Sequence, residues 1–421
     1  MDELELLAGA RPVSAPSVET VNDARRRLTR QISTKPASRW RVRLLVPVAA
    51  GAIAVSAGIV VGAHALRPDP PGPSGANSSR GSARPPDTGP LKPDNRSAHE
   101  LLFAAAGQTL RRTDPGSGRY WLSSWTEGQL IRVGQQGAEY AIMGRYANSR
   151  WYPKTDSFTV SETRWAGAEP ASDADKAAWR KAGSPSSWPI DQGPGCPPDP
   201  NRNYTVDAAG TSRVSRSDDG AGAGAGVQVR RTPGGEPSQF AVLGEHLTAD
   251  QVRALPSDPA ALRQWLIGVI EKQNLARQTD VELGESLFGG VQNLLFFNPI
   301  TPQVRAAAYK VLAGMPGITS LGAVKDGTGR NGVAVSITSN DTVEEQRADS
   351  AGPYAVSIVF SPDTGDTLSF ETRLLKPADY MSWVPKGALI GYQAVTEMRW
   401  TNDEPPAANA PSVVTRGPGE C

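Results

Sequence analysis

The sequence is poor in the residues that hydrolases and metalloenzymes most often use. Its 421 residues include only two cysteines and three histidines. Two cysteines cannot supply a zinc site of four thiolates, and three histidines leave few bases for a nucleophile. The motifs G-x-S-x-G, H-E-x-x-H and C-x-x-C are absent as well. We therefore expect a protein that is not an enzyme and has no catalytic residue, metal site or cofactor. A hydrolase is the third hypothesis, after two functions that act by binding.

Neither sign of charge is in excess, since 44 Lys and Arg stand against 43 Asp and Glu. A nucleic-acid partner requires a basic surplus on one face, so none is expected. The charge is nevertheless unevenly distributed. Residues 1–43 contain nine basic and five acidic residues, a net charge of +4, which leaves −3 for the remainder.

A single long apolar run, residues 44–66, contains 23 residues without a formal charge. As a helix it would be about 34 Å long, enough to cross a hydrocarbon core of about 30 Å. The five residues before the run include three arginines and the five after it include one. The positive-inside rule therefore predicts a single-pass protein of the cell membrane, with a cytoplasmic N-terminus and an extracytoplasmic C-terminal domain. A signal peptide cleaved after Ala65 is the alternative, because residues 63–65 have the small-x-small form of a cleavage site.

Composition divides the remainder into four parts. Residues 67–96 contain eight Pro, four Gly and four Ser, which predicts an extended spacer. Residues 97–400 are predicted to form one extracytoplasmic domain, with a loop-rich insertion at about 168–238. Residues 401–421 are expected to be a flexible tail.

Start and stop signals predict four helices in this domain. A capping box begins at Ser97, and Asp258 precedes a proline at the first helical position. Leucines at helical spacing cover 283–295. A further helix starts after Thr301 and ends at Gly314.

Strand patterns bounded by turn residues lie on both sides of the helices. The predicted strands are 119–126, 129–134, 138–145, 159–165, 318–325, 332–338, 354–360, 366–374 and 389–400. Strands, then helices, then strands indicate an α+β fold. The predicted architecture is a single transmembrane helix followed by an extracytoplasmic antiparallel sheet that helices cover on one face.

Residues 327–332 satisfy G-x-G-x-x-G, the dinucleotide-binding fingerprint. That motif needs a helix after the loop, whereas the residues that follow have a strand pattern. We interpret the segment as a hairpin turn.

Four tryptophans are predicted to have two different roles. Trp121 and Trp125 share one strand face and are predicted to pack beneath the helices. Trp179 and Trp188 lie in the insertion and are the better candidates for contact with a partner.

The two cysteines, Cys196 and Cys421, both follow the predicted span and would lie where disulfides persist. A Cys196–Cys421 disulfide would fix the tail to the insertion. The sequence is equally consistent with two free thiols or with intermolecular pairing.

The N-terminal segment contains a short pattern typical of a basic amphipathic helix. Val18, Val21, Leu28 and Ile32 follow a heptad-like spacing. The candidate contact residues are Arg25, Arg26, Arg27 and Arg30. Such a helix would bind a partner protein or anionic lipid, and a solvated juxtamembrane segment is the other interpretation.

Several strings add a resemblance. They are MDELELL at 1–7, the YW and W of Tyr120, Trp121 and Trp125, LPSDP at 255–259, PQVRAAAY at 302–309, LAGMPGI at 312–318 and DTG at 363–365. With these strings, most of the chain resembles an uncharacterised actinobacterial family of single-pass membrane proteins, often encoded beside extracytoplasmic-function sigma factors. The sheet and helix pattern is also loosely similar to the lipoprotein-carrier and sigma-regulator sensor fold.

The resemblance implies a regulatory association with a sigma factor or another cytoplasmic regulator, and the looser one implies an apolar or cell-wall ligand. Our hypothesis is a membrane-anchored sensor or regulatory protein of the cell envelope. The alternative is a tethered extracytoplasmic module that binds lipid or cell-wall material without catalysis.

Overall fold

A computed structural model of the chain describes residue 91 and residues 93–409, except 136, 190–202, 209–212, 218–229, 232–236, 239, 273–279, 340–352 and 378–380. The chain divides into two compact units, Met1–Leu45 and Val46–Cys421, and every described residue belongs to the second. The N-terminal arginines, the run 44–66 and both cysteines lie outside the described residues. Within the described ranges, no helix is long and apolar enough to cross a membrane.

The predicted α+β class is confirmed. Nine strands form one antiparallel sheet, namely β1 (Tyr120–Val133), β2 (Tyr140–Pro153), β3 (Thr159–Pro170), β6 (Arg213–Ser217), β11 (Thr319–Lys325), β12 (Asn331–Ser339), β13 (Tyr354–Phe360), β14 (Thr367–Leu374) and β15 (Leu389–Thr401). Their order in the sheet is β11-β12-β13-β14-β15-β1-β2-β3-β6. Three two-stranded pairs are formed by β4 (Ser187–Pro189) with β5 (Asn203–Thr205), β7 (Arg230–Arg231) with β8 (Pro237–Ser238), and β9 (Phe240–Val242) with β10 (Glu245–Leu247).

Three helices begin where the start signals at Ser97, Asp258 and Thr301 predict. The described helices are α1 (Ala98–Leu110), α2 (Asp173–Lys181), α3 (Ala249–Arg253), α4 (Pro259–Lys272), α5 (Asp280–Phe297) and α6 (Pro302–Ala313). Ser97 and Glu100 form the expected capping box of α1. The Thr301 side chain accepts from the Val304 N–H, and Gly314 ends α6. These caps satisfy amide groups that a helix end leaves without an internal partner.

One face of the sheet packs against the helices and is called here the helix-covered face. Val335, Ile358 and Phe370 point into this core, and Phe370 lies 5.0 Å from Phe296 of α5 between ring centroids. Trp121 belongs to the same core and is 2% exposed. Each such burial contributes about 1.5–3 kcal/mol. Helices over one sheet face are therefore confirmed, as is the predicted core position of the early tryptophans.

Strand β1 differs from the prediction, because 119–126 and 129–134 form one strand that runs through Gly128. A Cβ at Gly128 would lie 2.0 Å from Cε1 of Tyr392 in the adjacent β15. The glycine therefore admits a neighbouring ring instead of ending the strand. Nothing local in the sequence distinguishes these two uses of glycine.

The insertion predicted as loop contains regular structure, namely α2, the sheet strand β6, the pair of β4 and β5 and the pair of β7 and β8. Helix α2 begins at Ser172, whose side chain accepts from the Asp175 N–H. It ends with the basic residues Arg180 and Lys181. A polar N-cap, acidic first turn and basic last turn are the local signals of a helix, but the segment lacks a long apolar stripe.

The domain's contacts continue past residue 400. The Tyr120 hydroxyl donates to Glu404 at 2.8 Å, and Arg119 pairs with the same carboxylate. At the other end, the Asp94 carbonyl lies beside Gly322 of β11. Both ends of the described chain therefore lie against the sheet.

Candidate functional site

Part of the helix-covered face lies between two groups of side chains that cover the sheet, one from α5 and one from the insertion. At one end, Trp125 packs against Phe296 and Phe297 of α5. At the other, Val133 and Tyr140 belong to a separate apolar cluster with residues of the insertion. Because alternate residues of β1 share a face, Glu127 and Gln129 lie between these covers. Both are half-buried.

The register places a row of polar and aromatic side chains across this interval. Glu127 pairs with Gln393 of β15 on one side and with Tyr146 of β2 on the other. Tyr146 pairs in turn with Trp165 of β3. All four residues are half-buried. Together with Trp125, Asn148 and Arg150 they are called here the Glu127 strip.

The Glu127 carboxyl group is held in a poor environment for its charge. Burial raises its pKa, and the Trp125 indole and the Arg150 guanidinium only partly oppose this effect. A carboxyl whose charge is not compensated destabilises the fold at neutral pH. Such groups are frequent at functional sites, because a ligand supplies the missing partner.

Aromatic rings form the insertion side of the strip. The ring centroids of Tyr146 and Trp165 are 4.9 Å apart, and those of Trp165 and Tyr204 are 5.4 Å apart. Trp165 Nε1 donates to the Thr205 carbonyl at 3.0 Å. Burial raises the pKa of Tyr146, and the neighbouring Tyr204 and Glu127 raise it further. Tyr146 is therefore a neutral donor and acceptor at physiological pH.

Arg150 forms the side of the strip nearest the helices. Its guanidinium carbon lies 5.6 Å from the centroid of the Trp125 ring and 5.9 Å from that of Tyr152. Arg150 also donates to the Ser161 hydroxyl at 3.2 Å and to the Tyr152 hydroxyl at 3.2 Å. These contacts fix the orientation of the guanidinium.

Two buried polar atoms of β1 border the strip on the side of the helices. The Ser123 hydroxyl oxygen is 1% exposed and has no hydrogen-bond partner among the described residues. Nε1 of Trp125 makes no hydrogen bond of ordinary geometry there, but it acts on the Glu127 carboxyl and lowers the pKa of that group. Both atoms lie beneath α5, so the accessible part of the strip begins at Glu127.

The structure places the predicted contact tryptophans of the insertion against the sheet. Trp188 is 3% exposed, and its Nε1 donates to the Tyr140 hydroxyl at 2.8 Å. Trp179 is half-buried and donates to the Pro185 carbonyl at 3.0 Å. Both indoles thus help to attach the insertion to the sheet, and a partner contact through them stays a prediction. The arginines Arg25, Arg26, Arg27 and Arg30, and the pair Cys196 and Cys421, lie outside the described residues.

A second polar cluster, on the opposite face of the sheet, includes the G-x-G-x-x-G segment. This segment is the turn between antiparallel strands β11 and β12, as predicted. Asp326 accepts from Arg330 at 2.7 Å, and its side chain is 0% exposed. Glu371 accepts from the Gly327 N–H at 2.7 Å. Because these groups bind one another, the cluster fixes the hairpin to the sheet.

No cluster of three or more His, Cys, Asp or Glu side chains able to hold a metal ion occurs in the part of the chain that the structure describes. The polar groups around Asp326 bind one another, whereas the Glu127 carboxyl is incompletely compensated, so the Glu127 strip is the candidate site. It combines one carboxyl, one guanidinium, carboxamides and aromatic rings, a set of groups that can bind a polar ligand.

Sequence reasoning missed Glu127 and Tyr146. The signal available was the face Trp121, Ser123, Trp125, Glu127 and Gln129, which changes from core aromatics to polar residues along a single strand. Comparison of the chain with models of protein families, with curated proteins and with solved structures gives no match in any of the three.

Proposed function

We propose that the chain is a membrane-anchored sensor or regulatory protein of the cell envelope, which binds a ligand at the Glu127 strip outside the cell. Its basic N-terminal segment would contact a sigma factor or another cytoplasmic regulator. The protein would act by binding, without catalysis.

The observation that carries this proposal is the half-buried Glu127 between the two covers of one sheet face. A purely structural position there would favour an apolar side chain, because burial of a poorly compensated carboxyl is unfavourable. Rings of Tyr146 and Trp165 beside it add surface for a ligand. A ligand that pairs with the Glu127 carboxyl would explain why this destabilising group occupies the position.

The sequence of the first 96 residues supports the regulatory part. A basic segment, an apolar run of 23 residues and a Pro-rich spacer precede the domain in this order. This order would connect an extracytoplasmic binding site with a cytoplasmic contact.

The test is crosslinking in cells followed by purification of the full-length chain and identification of the captured proteins. The wild-type chain should capture a sigma factor or another cytoplasmic regulator. Replacement of Arg25, Arg26, Arg27 and Arg30 by alanine should abolish capture, whereas Arg164→Ala, on an exposed position of β3, should leave it unchanged. Absence of any such protein from the wild-type sample would overturn the regulatory proposal.

The second candidate is a tethered module that binds lipid or cell-wall material and transmits no signal. The aromatic rings of the Glu127 strip support a tethered binding module as well as they support a sensor. The two candidates differ at the arginines: in a simple tethered module, the alanine variant of the N-terminal segment would retain full function in the envelope.

A further inference from the structure

We propose that the ligand of the Glu127 strip is a neutral oligosaccharide, with sugar hydroxyl groups bound by Glu127 and a sugar ring packed against Tyr146. This inference rests on the proposed function and specifies the chemical class of the ligand.

The first argument is the combination of polar and aromatic groups. Across four strands the strip presents a carboxamide at Gln393, a carboxyl at Glu127, a phenol at Tyr146 and an indole at Trp165, all half-buried. An acyl chain lying on these residues would bury polar groups without hydrogen bonds, which is unfavourable. A sugar offers hydroxyls that both donate and accept, together with apolar C–H faces that pack on rings.

The second argument is the incompletely paired carboxyl. The Trp125 indole and the Arg150 charge act on Glu127, yet burial still raises the pKa of this half-buried group. A sugar hydroxyl can donate to the carboxyl and accept from a carboxamide such as that of Gln393, which pairs with Glu127 in the adjacent strand. One ligand group would then contact both side chains.

The third argument concerns charge and size. A cationic ligand would meet the Arg150 guanidinium, whose orientation is fixed by Tyr152 and Ser161 and whose charge acts on Glu127. An anionic ligand would meet Glu127 itself. From Gln393 to Trp165 the Glu127 strip crosses four adjacent strands, about 14 Å at the usual strand spacing, which suits more than one linked sugar ring.

The test is isothermal titration calorimetry of the full-length protein in detergent with the tetramer of N-acetylglucosamine. This probe is neutral, and its acetamido groups can pair with carboxamides such as that of Gln393. The wild-type protein should bind it, and both Glu127→Gln and Tyr146→Ala should weaken binding about tenfold or more. The matched control is Glu397→Gln, an exposed glutamate on the opposite face of β15, which should bind as the wild type does.

Far-ultraviolet circular dichroism of each variant separates loss of binding from loss of the fold. No binding by the wild-type protein, or binding that Glu127→Gln and Tyr146→Ala leave unchanged, would overturn the oligosaccharide inference. Competition at the strip by palmitate or phosphatidylglycerol vesicles instead of the tetramer would also overturn it. Capture of the cytoplasmic partner is a separate readout, so either result leaves the proposed regulatory function to be judged by crosslinking.

Discussion

At Glu127, the stability of the fold favours a side chain without charge, whereas the proposed binding of a ligand uses the carboxyl group. Its neighbours on the adjacent strands, Gln393 and Tyr146, provide no positive charge, and Arg150 is mainly engaged with aromatic rings and hydroxyls. The folded protein therefore holds the carboxyl proton more tightly than the unfolded chain does, since burial raises the pKa of Glu127. Above this raised pKa the charged form destabilises the fold.

We expect Glu127→Gln to raise the melting temperature at pH 7, because the amide has no charge to bury. As pH falls through the raised pKa toward the ordinary value for glutamate, about 4.3, wild-type Glu127 becomes protonated and the advantage of the variant should disappear. Thermal unfolding of both proteins between pH 4 and pH 8 measures this difference. Glu397→Gln should show no comparable pH-dependent gain, and a variant less stable than wild type at pH 7 would contradict the reasoning.

Asp326 and Arg330 form the opposite case, a buried charge that is fully compensated. The Asp326 carboxylate accepts from the Thr328 N–H at 2.9 Å and the Arg330 N–H at 3.0 Å, besides its ion pair with the Arg330 side chain. Removal of one partner of a buried ion pair leaves the other charge buried without compensation, which destabilises the fold.

We expect Arg330→Ala to lower the free energy of unfolding by about 3 kcal/mol, because the Asp326 carboxylate loses its ion-pair partner. Urea denaturation followed by tryptophan fluorescence measures the change. The control is Arg399→Ala, whose ion pairs with Glu397 and Asp403 are exposed; its cost should stay below about 1 kcal/mol. Equal effects of the two variants would argue against a special role for the hairpin pair.

At the scale of elements, the sequence predicts what local chemistry determines. The caps at Ser97 and Thr301 and the turn at 326–330 depend on neighbouring residues, and all three are confirmed. The continuity of β1 through Gly128 depends on Tyr392, which is far away in the sequence. The Glu127 strip depends on register across β15, β1, β2 and β3, so no local pattern could assemble it.

Substitution of two glycines tests whether a glycine's role depends on residues far away in the sequence. Gly128→Ala should destabilise the domain by about 1–3 kcal/mol, because its Cβ would overlap the Tyr392 ring. Gly107→Ala, in the middle of α1 with no atom within 4 Å of its Cβ, should stabilise it by up to about 1 kcal/mol. Chemical denaturation of the two variants compares them directly. A harmless Gly128→Ala would mean that the Tyr392 ring moves aside at little cost.

At the scale of the whole molecule, the topology inferred from 44–66 can be tested with the two native cysteines. If the chain after the span is extracytoplasmic, a membrane-impermeant maleimide should label Cys196 and Cys421 in intact cells after mild reduction. The double variant Cys196→Ser, Cys421→Ser is the control for specificity. Labelling that requires permeabilised cells would reverse the orientation, and labelled protein free of the membrane fraction would indicate cleavage after Ala65.

The Arg330 side chain also affects how the sheet opens. It donates to the Val395 carbonyl of β15 and the Leu368 carbonyl of β14, both at 2.7 Å. Strand β11 is an edge of the sheet, yet its hairpin with β12 is thereby joined to two central strands. Edge strands ordinarily fray in local openings. Here we expect the amide hydrogens of β12 to exchange in the same cooperative event as those of β14 and β15, so that this hairpin opens together with the centre of the sheet instead of separating first.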